Sequence, residues 1–270
     1  MKITFLGGGN MANALIGGLL NQGFDAADIQ VVELSGDNRE KLVRAYGVTC
    51  HAGPEPEAWK CDLIVLAVKP QQMKEAVKPL VRHLAGQLVV SIAAGLRLES
   101  LSRWLGGHRK LVRTMPNTPA LIGAGVTGLY ALPEVDAAER LAADRVMRTV
   151  GSTFWVDEEK RMDAVTAVSG SGPAYVFLFI EALQDAAREL GFTPEQAAQM
   201  AIETTLGAAR LAAQSDVPAS TLRERVTSKG GTTEAALKAM TDLGVKAALA
   251  AGVRAADARG RELGDLLGGE

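Results

Sequence analysis

Aromatic side chains make up only 4% of the 270 residues, with two cysteines and three histidines. Two cysteines, Cys50 and Cys61, exclude a disulfide framework and a four-cysteine zinc site. Cys61 opens an apolar run and is expected to be a buried thiol. His51, His83 and His108 are scattered, without the spacing of metal ligands. Charge of one sign is missing as well: 29 Lys and Arg against 31 Asp and Glu leave a formal net charge of −2. A dedicated nucleic-acid binder, which needs a basic face, is therefore not expected. The longest apolar run, residues 174–180, ends at Glu181 and falls short of the ~18 residues of a membrane span. No membrane association is expected. The opening MKITFLGGGN carries an apolar run only over Ile3–Leu6, too short for a signal peptide. Few cysteines and no leader point to the cytoplasm.

What the sequence does have is glycine, 29 residues of it, and length for about two domains at roughly 150 residues each. The first part alternates strand-like and helix-like segments. Strands are expected at Ile3–Leu6, 29–33, 63–68, 88–92, 111–114, 126–130 and 153–156. Helices are expected at Asn10–Asn21, 37–46, 70–84, 98–105 and 136–149. Such alternation implies a parallel sheet covered on both faces. Beyond about residue 157 the strand signals stop, and 158–168, 173–190, 194–214, 220–226, 233–242 and 245–267 all read as helix. Pro173 and Pro194 stand at first helical positions, Thr193 with Gln196 makes a capping box, and Gly191 ends the preceding helix. The expected organisation is an α/β domain over residues 1–157 and an all-α domain over 158–270.

Gly7-Gly8-Gly9-Asn10-Met11-Ala12 fits G-x-G-x-x-A directly between a strand and a helix. The first glycine permits a tight turn, the second lets a pyrophosphate approach the backbone, and Ala12 lets the helix sit close to the strand. The helix N-terminus then presents free N–H groups and a positive dipole end to the phosphates. Glu33 ends the second strand 24 residues after Gly9, close to the expected acidic position. A carboxylate there accepts the ribose hydroxyls of NAD and repels the 2′-phosphate of NADP, whereas Arg39 could reach back and offset that repulsion. A Rossmann-type dinucleotide site follows.

Further motifs end the later strands. Ala67-Val68-Lys69-Pro70-Gln71 is expected to line the cofactor, since ligands of open α/β sheets lie outside the carboxyl ends of strands. Ser91-Ile92-Ala93-Ala94-Gly95 has small residues that let a flat ring approach. In Met115-Pro116-Asn117-Thr118-Pro119, two prolines stiffen a loop that could set the Asn117 amide beside a nicotinamide. Ser169-Gly170-Ser171-Gly172-Pro173 reads as a helix cap with close packing, because every histidine lies far upstream of it and no triad base is suggested. Thr227-Ser228-Lys229-Gly230-Gly231-Thr232-Thr233-Glu234 places hydroxyls and two glycines before a helix, a pattern suited to holding an anion on backbone N–H groups.

FLGGGNM, AVKPQ, SIAAG, RTMPNTP, SGSGPAY and VTSKGGTT, in that order and spacing, resemble the pyrroline-5-carboxylate reductase family over about residues 1–260. The resemblance implies reduction of 1-pyrroline-5-carboxylate to L-proline, the last step of proline biosynthesis, with NADPH or NADH. It implies that the Thr233 hydroxyl meets the ring nitrogen and, with Ser228, carries the chemistry. Lys229, Gly230, Gly231 and Thr232 would hold the carboxylate, with Asp216 and Asn117 near the ring. The coenzyme would lie along Leu6, Gly7, Gly9, Asn10, Met11, Glu33, Leu34, Ala67, Val68, Lys69, Pro70, Ala93 and Ala94. The helical domain would interlock with that of a second chain, one subunit's substrate loop facing the other's coenzyme domain, in homodimers that assemble further, up to decamers. Where the family commonly has Asn or Ser, often with Arg, this chain has Glu33-Leu34, which favours use of NADH.

Two rivals share parts of the pattern. A β-hydroxyacid dehydrogenase has the same two-domain plan but needs a catalytic lysine on the long helix, and residues 174–183 contain none. A non-catalytic dinucleotide-binding regulator would have no use for the Ser228–Thr233 loop.

Overall fold

The structure is a computed structural model and describes residues 1–269. Strands β1 (Ile3–Leu6), β2 (Ile29–Val32), β3 (Thr49–His51), β4 (Leu63–Leu66), β5 (Leu88–Ser91), β6 (Leu111–Met115), β7 (Gly125–Ala131) and β8 (Gly151–Trp155) form one sheet. Their order is β3-β2-β1-β4-β5-β6-β7-β8. Helices α1 (Asn10–Asn21), α2 (Gly36–Tyr46), α3 (Pro70–Val77), α4 (Leu98–Trp104) and α5 (Ala137–Arg148) connect them. Side chains alternate between two cores, as a period of two requires. Ile3, Phe5, Leu63, Val65, Leu88 and Val90 enter one cluster; Leu6, Ile64, Leu66 and Val89 enter the other. With both faces covered, β4 can be apolar at every position.

The chain turns from β1 to β2 on one side and crosses to β4 on the other. The crevice where strand order reverses lies at the carboxyl ends of β1 and β4, the usual ligand position in such sheets. One expectation is corrected here. The sheet is not wholly parallel, because β7 runs antiparallel to β6. Residues 116–124 between them hold only a 3₁₀ turn, and a parallel return needs a crossover of about a dozen residues or more. Strand β3, an edge strand of three partly exposed residues, has no apolar run and was not expected. Cys61 is half-buried rather than buried, and burial raises its thiol pKa. Helix 70–84 is shorter than expected: α3 stops at Val77 and a 3₁₀ turn follows, where Pro79 withdraws an N–H.

After β8 come α6 (Arg161–Val165), a π-helical turn at Thr166–Gly170, and α7 (Gly172–Glu189), α8 (Pro194–Ala213), α9 (Ala219–Arg225), α10 (Thr232–Asp242) and α11 (Val245–Gly268). The expected capping box forms: Thr193 Oγ1 accepts from Gln196 N at 3.3 Å and Gln196 Oε1 from Thr193 N at 3.1 Å.

By packing, the chain divides at Ser171/Gly172. Among the described residues, the first compact unit is Met1–Ser171 together with 255–269, and the second is Gly172–Arg254. Residues 158–171 belong to the first unit because Arg113, 3% exposed on β6, donates Nη2 to Asp163 Oδ1 at 2.8 Å and pairs with Glu159 at 3.3 Å. The second unit has almost no interior of its own. Its only buried apolar residues are Ala197 and Ala201, while Phe177, Leu178 and Phe179 of α7 stand open to solvent. The continuous helical stretch Arg161–Glu189 is long and apolar enough, by length and composition, to cross a membrane; counting only an uncharged run misses this.

Candidate active site

The glycine turn is built as its spacing suggested. Gly7 has φ +101°, and a Cβ on it would lie 2.7 Å from Ala67 O and 2.9 Å from Val68 Cγ1. Only glycine fits where the turn crosses the end of β4. At Gly9 a Cβ would meet nothing within 4 Å, so the backbone is open on the side from which a diphosphate would approach. Ala12 is buried in the core. Helix α1 begins with no side-chain cap and no acidic residue in its first turn, which leaves its first N–H groups and its positive dipole end for an anion. Asn13 Nδ2 braces the turn from behind, donating to Gly8 O at 2.9 Å and Gly9 O at 3.0 Å. These features fit the diphosphate of a dinucleotide.

Glu33 is not a free carboxylate. Its Oε2 accepts from Gly8 N at 2.9 Å and its Oε1 from Ser35 N at 2.8 Å. It therefore fastens the middle of the glycine turn to the end of β2. Arg39 reaches back from α2, donating Nη1 to the carbonyls of Glu33 and Leu34, both at 2.8 Å. Leu34 itself is exposed. An acid and a guanidinium thus flank the loop that would meet the adenosine ribose.

The remaining residues expected around the coenzyme gather at the carboxyl ends of β4 and β5. Ala67 N donates to Leu6 O at 2.8 Å, placing the AVKPQ segment beside the glycine turn. Lys69 is exposed at the start of α3, and Pro70 occupies the first helical turn. Ala93 is buried with its N–H on Ser91 Oγ at 3.3 Å, while Ala94 is exposed beside it.

Asn117 does something different from what its motif suggested. It is buried, its Oδ1 accepts from Val126 N at 2.9 Å, and its Nδ2 donates to Ser169 O at 3.1 Å. Both bonds go to backbone, tying the MPNTP loop to the π-helical turn. Met115 Cε reinforces that joint, lying 2.5 Å from where a Cβ on Gly170 would be. Asn117 thus positions the loop with one of its two N–H groups and one lone pair of its oxygen. Ser169 Oγ donates to Val165 O at 2.9 Å, a helix-internal bond consistent with the packing role expected of SGSGP. Arg113, Glu159 and Asp163 escaped the sequence reading. The signal was there: a charged residue inside the apolar strand LVRTM has to find a buried partner.

In the second unit, the TSKGGTT loop leads into α10. Gly230 has φ +72°, and a Cβ on Gly231 would lie 2.6 Å from Ser228 Oγ, so both glycines are dictated by the turn. Gly231 N bonds Ser228 O at 3.1 Å, and Gly230 N donates to Glu234 Oε2 at 2.7 Å. Helix α10 has no side-chain cap, so the N–H groups of its first turn lack an intrahelical acceptor. The Ser228 and Thr233 hydroxyls have no partner among the described residues. Ser228, Lys229 and Thr232 are exposed and Thr233 is half-buried. Asp216, in the turn after α8, is exposed and has no hydrogen bond or ion pair to this loop among the described residues.

A sheet of this order with an open glycine turn defines a nicotinamide-nucleotide-dependent oxidoreductase with a Rossmann-type domain and an α-helical second part. Residues 159–263 match a family model described as pyrroline-5-carboxylate reductase dimerisation, and residues 2–95 one described as NADP oxidoreductase, coenzyme F420-dependent. The pyrroline-5-carboxylate reductase of Pseudomonas aeruginosa is 46% identical over 239 residues, 88% of either chain. The chain belongs to the pyrroline-5-carboxylate reductase family. The structure of a pyrroline-5-carboxylate reductase from Coxiella burnetii matches with a TM-score of 0.92 at 41% identity, covering 97% of this chain and 98% of that one. That of Plasmodium falciparum pyrroline carboxylate reductase with NADP bound matches with a TM-score of 0.87 at 29% identity, covering 98% of each.

Proposed function

We propose that the protein reduces 1-pyrroline-5-carboxylate to L-proline, the last step of proline biosynthesis, with NADPH or NADH. The observation that carries this is the uncapped start of α10, where glycine-bent backbone and free hydroxyls suit a small carboxylate. The substrate is a cyclic imine whose nitrogen protonates readily, so the site needs orientation more than a strong acid. The bound reduced nicotinamide supplies the hydride that the iminium carbon accepts. Thr233 hydrogen-bonds the ring nitrogen, which keeps its proton and leaves as the secondary amine of proline. Ser228 and the first-turn N–H groups from Thr232 onward hold the carboxylate, and Lys229 adds positive potential beside it. Gly230 and Gly231 shape the turn. Asp216 lies on the ring side in this proposal, and Asn117 fixes the loop after β6.

For the coenzyme, Leu6 to Met11 take the diphosphate, Ala67 to Pro70 and Ala93-Ala94 take the nicotinamide end, and Glu33-Leu34 take the ribose. Glu33 makes NADH usable by accepting ribose hydroxyls with its remaining lone pairs. Arg39 carries guanidinium N–H groups beyond the two carbonyl bonds, and these accommodate the 2′-phosphate of NADPH.

The second unit completes its core with a second copy of the chain. Two buried alanines cannot hold an all-helical unit together, and the matched dimerisation segment, 159–263, includes the bare face of α7. The same face accounts for the apolar length of α7 without a bilayer, since Glu181 and Asp185 both stand exposed on it. On the family resemblance, the dimers assemble further, up to a decamer, and work in the cytoplasm.

The test is product formation. Incubation of the protein with pyrroline-5-carboxylate and either reduced coenzyme should yield L-proline in step with coenzyme oxidation. Absence of proline with both coenzymes would refute the proposal.

A further inference from the structure

The end of α11 returns to the first unit at the turn that follows β5. Gly95, φ +76°, packs so closely that a Cβ on it would lie 3.5 Å from Leu263 Cβ and 3.6 Å from Leu267 Cδ1. A Cβ on Gly264 would lie 3.3 Å from Gly95 O and from Arg97 Nε, so the helix and the turn touch backbone to backbone. Leu267 also packs against the core cluster that contains Leu96, Leu98 and Leu101.

Polar contacts fix the same seam. Arg103 Nη2 donates to Gly268 O at 2.6 Å and Ser100 Oγ to the same carbonyl at 3.3 Å. Arg97 Nη2 pairs with Asp265 Oδ1 at 2.7 Å. A guanidinium on a last-turn carbonyl satisfies an orphan acceptor and complements the negative end of the helix dipole. Upstream, Gly260 lies against Asp163, 3.6 Å from Cβ to built Cβ, and Asp163 is the buried partner of Arg113. The last turns of α11 are thus seated against Gly95, in the turn after β5 that also contains Ala93 and Ala94.

We infer that the C-terminal turns of α11 form a positioning element for the coenzyme's nicotinamide end, holding the Ala93–Gly95 turn in place through Gly264 and Leu267, with Arg103 of α4 anchoring the end of the helix. This rests on the reading that Ala93 and Ala94 line that end of the coenzyme. None of these residues touches the reacting atoms; they act through the turn. A turn that carries a flat ring must be held to a fraction of an ångström, since a displacement of about 1 Å costs about a hundredfold in rate. Gly95, with its positive φ and no side chain, cannot supply that restraint itself.

The test compares Leu267→Ala, Gly264→Val and the milder Arg103→Leu with wild type in the full-length protein. Coenzyme binding is read by fluorescence titration of NADH and NADPH, and adenosine-side binding by titration of ADP-ribose. Each variant should weaken reduced-coenzyme binding or lower kcat by about tenfold. ADP-ribose affinity should stay within about twofold, because the glycine turn and Glu33 lie elsewhere on the sheet edge. Arg103→Leu, which removes only an exposed hydrogen bond, serves if the other two do not fold. Wild-type values for coenzyme binding and kcat would overturn the inference, as would ADP-ribose affinity falling in parallel with that of the coenzyme. Ala94→Val separates the two readings. If it alters coenzyme binding while the Leu267, Gly264 and Arg103 variants do not, the positioning role fails and the nicotinamide reading stands. If it changes nothing, the nicotinamide reading fails and the inference with it.

Discussion

Glu33 Oε2 accepts the Gly8 N–H at 2.9 Å, so the acidic residue at the end of β2 is a clasp on the glycine turn. One carboxylate therefore fastens the glycine turn to the end of β2, and in the proposed function it also opposes a 2′-phosphate. Arg39, gripping the Glu33 and Leu34 carbonyls, supplies the opposing charge.

From this pair the first prediction concerns coenzyme ratio. Glu33→Ser removes the negative charge that opposes a 2′-phosphate. The ratio of kcat/KM for NADPH to that for NADH should rise by about tenfold, equivalent to about 1.4 kcal/mol. Both values should also fall, because Gly8 N loses its acceptor. Arg39→Ala should move the ratio the other way. Parallel steady-state titrations with the two coenzymes check this, and an unchanged ratio in both variants would contradict the assignment.

A second prediction concerns the ion pair beneath the MPNTP loop. Arg113 and Asp163 are both buried, and removing one leaves the other uncompensated. Arg113→Met should destabilise by about 3–5 kcal/mol, whereas Arg113→Met with Asp163→Leu should recover most of that loss. Denaturant unfolding at a fixed protomer concentration gives both values, and a double variant as unstable as the single one would refute the pairing.

Stability against pH provides a third. Burial is the main influence on His108, and it lowers the imidazole pKa below the usual histidine value, while Nε2 lies 2.9 Å from Gln87 O. The folded protein keeps the ring neutral where the unfolded chain already binds a proton. The stability this contributes is complete above the unfolded value of about 6.5. It is lost as pH falls below that value, and the loss levels off once the folded group is also protonated. His108→Gln keeps a donor for Gln87 O but takes up no proton. Its Tm should fall less than that of wild type between about pH 7.5 and about pH 5, and parallel curves would contradict the account.

Much of the fold is legible in the sequence, and the reasons are local. Leu63 to Leu66 read as a strand because burial on both faces demands an unbroken apolar run. Helix α8 reads well because Thr193, Pro194 and Gln196 act on backbone within one turn. What escapes is what depends on distant partners. The direction of β7 is set by a short loop rather than by any property of its own residues. Asn117 shows an amide in sequence but not that it bonds Val126 and Ser169. Gly264 and Gly268 look like poor helix formers until Arg97 and Ser100, more than 160 residues upstream, occupy the space a side chain would need. That residues 158–171 pack with the first unit is equally illegible, since the Arg113–Asp163 pair that draws them in spans fifty positions. In the TSKGGTT loop the sequence shows hydroxyls and glycines, and the uncapped start of α10 is visible only in three dimensions.

The central claim is that the Ser228–Thr233 loop binds a cyclic imine carboxylate for hydride transfer. It is tested most directly by reduced-coenzyme oxidation with pyrroline-5-carboxylate, wild type beside Thr233→Ala. Wild type should turn over. The variant should lose about tenfold or more in kcat/KM for the imine, the worth of one hydrogen bond of about 1.5 kcal/mol, with coenzyme affinity unchanged. No oxidation by wild type, or a wild-type rate from Thr233→Ala, would contradict it.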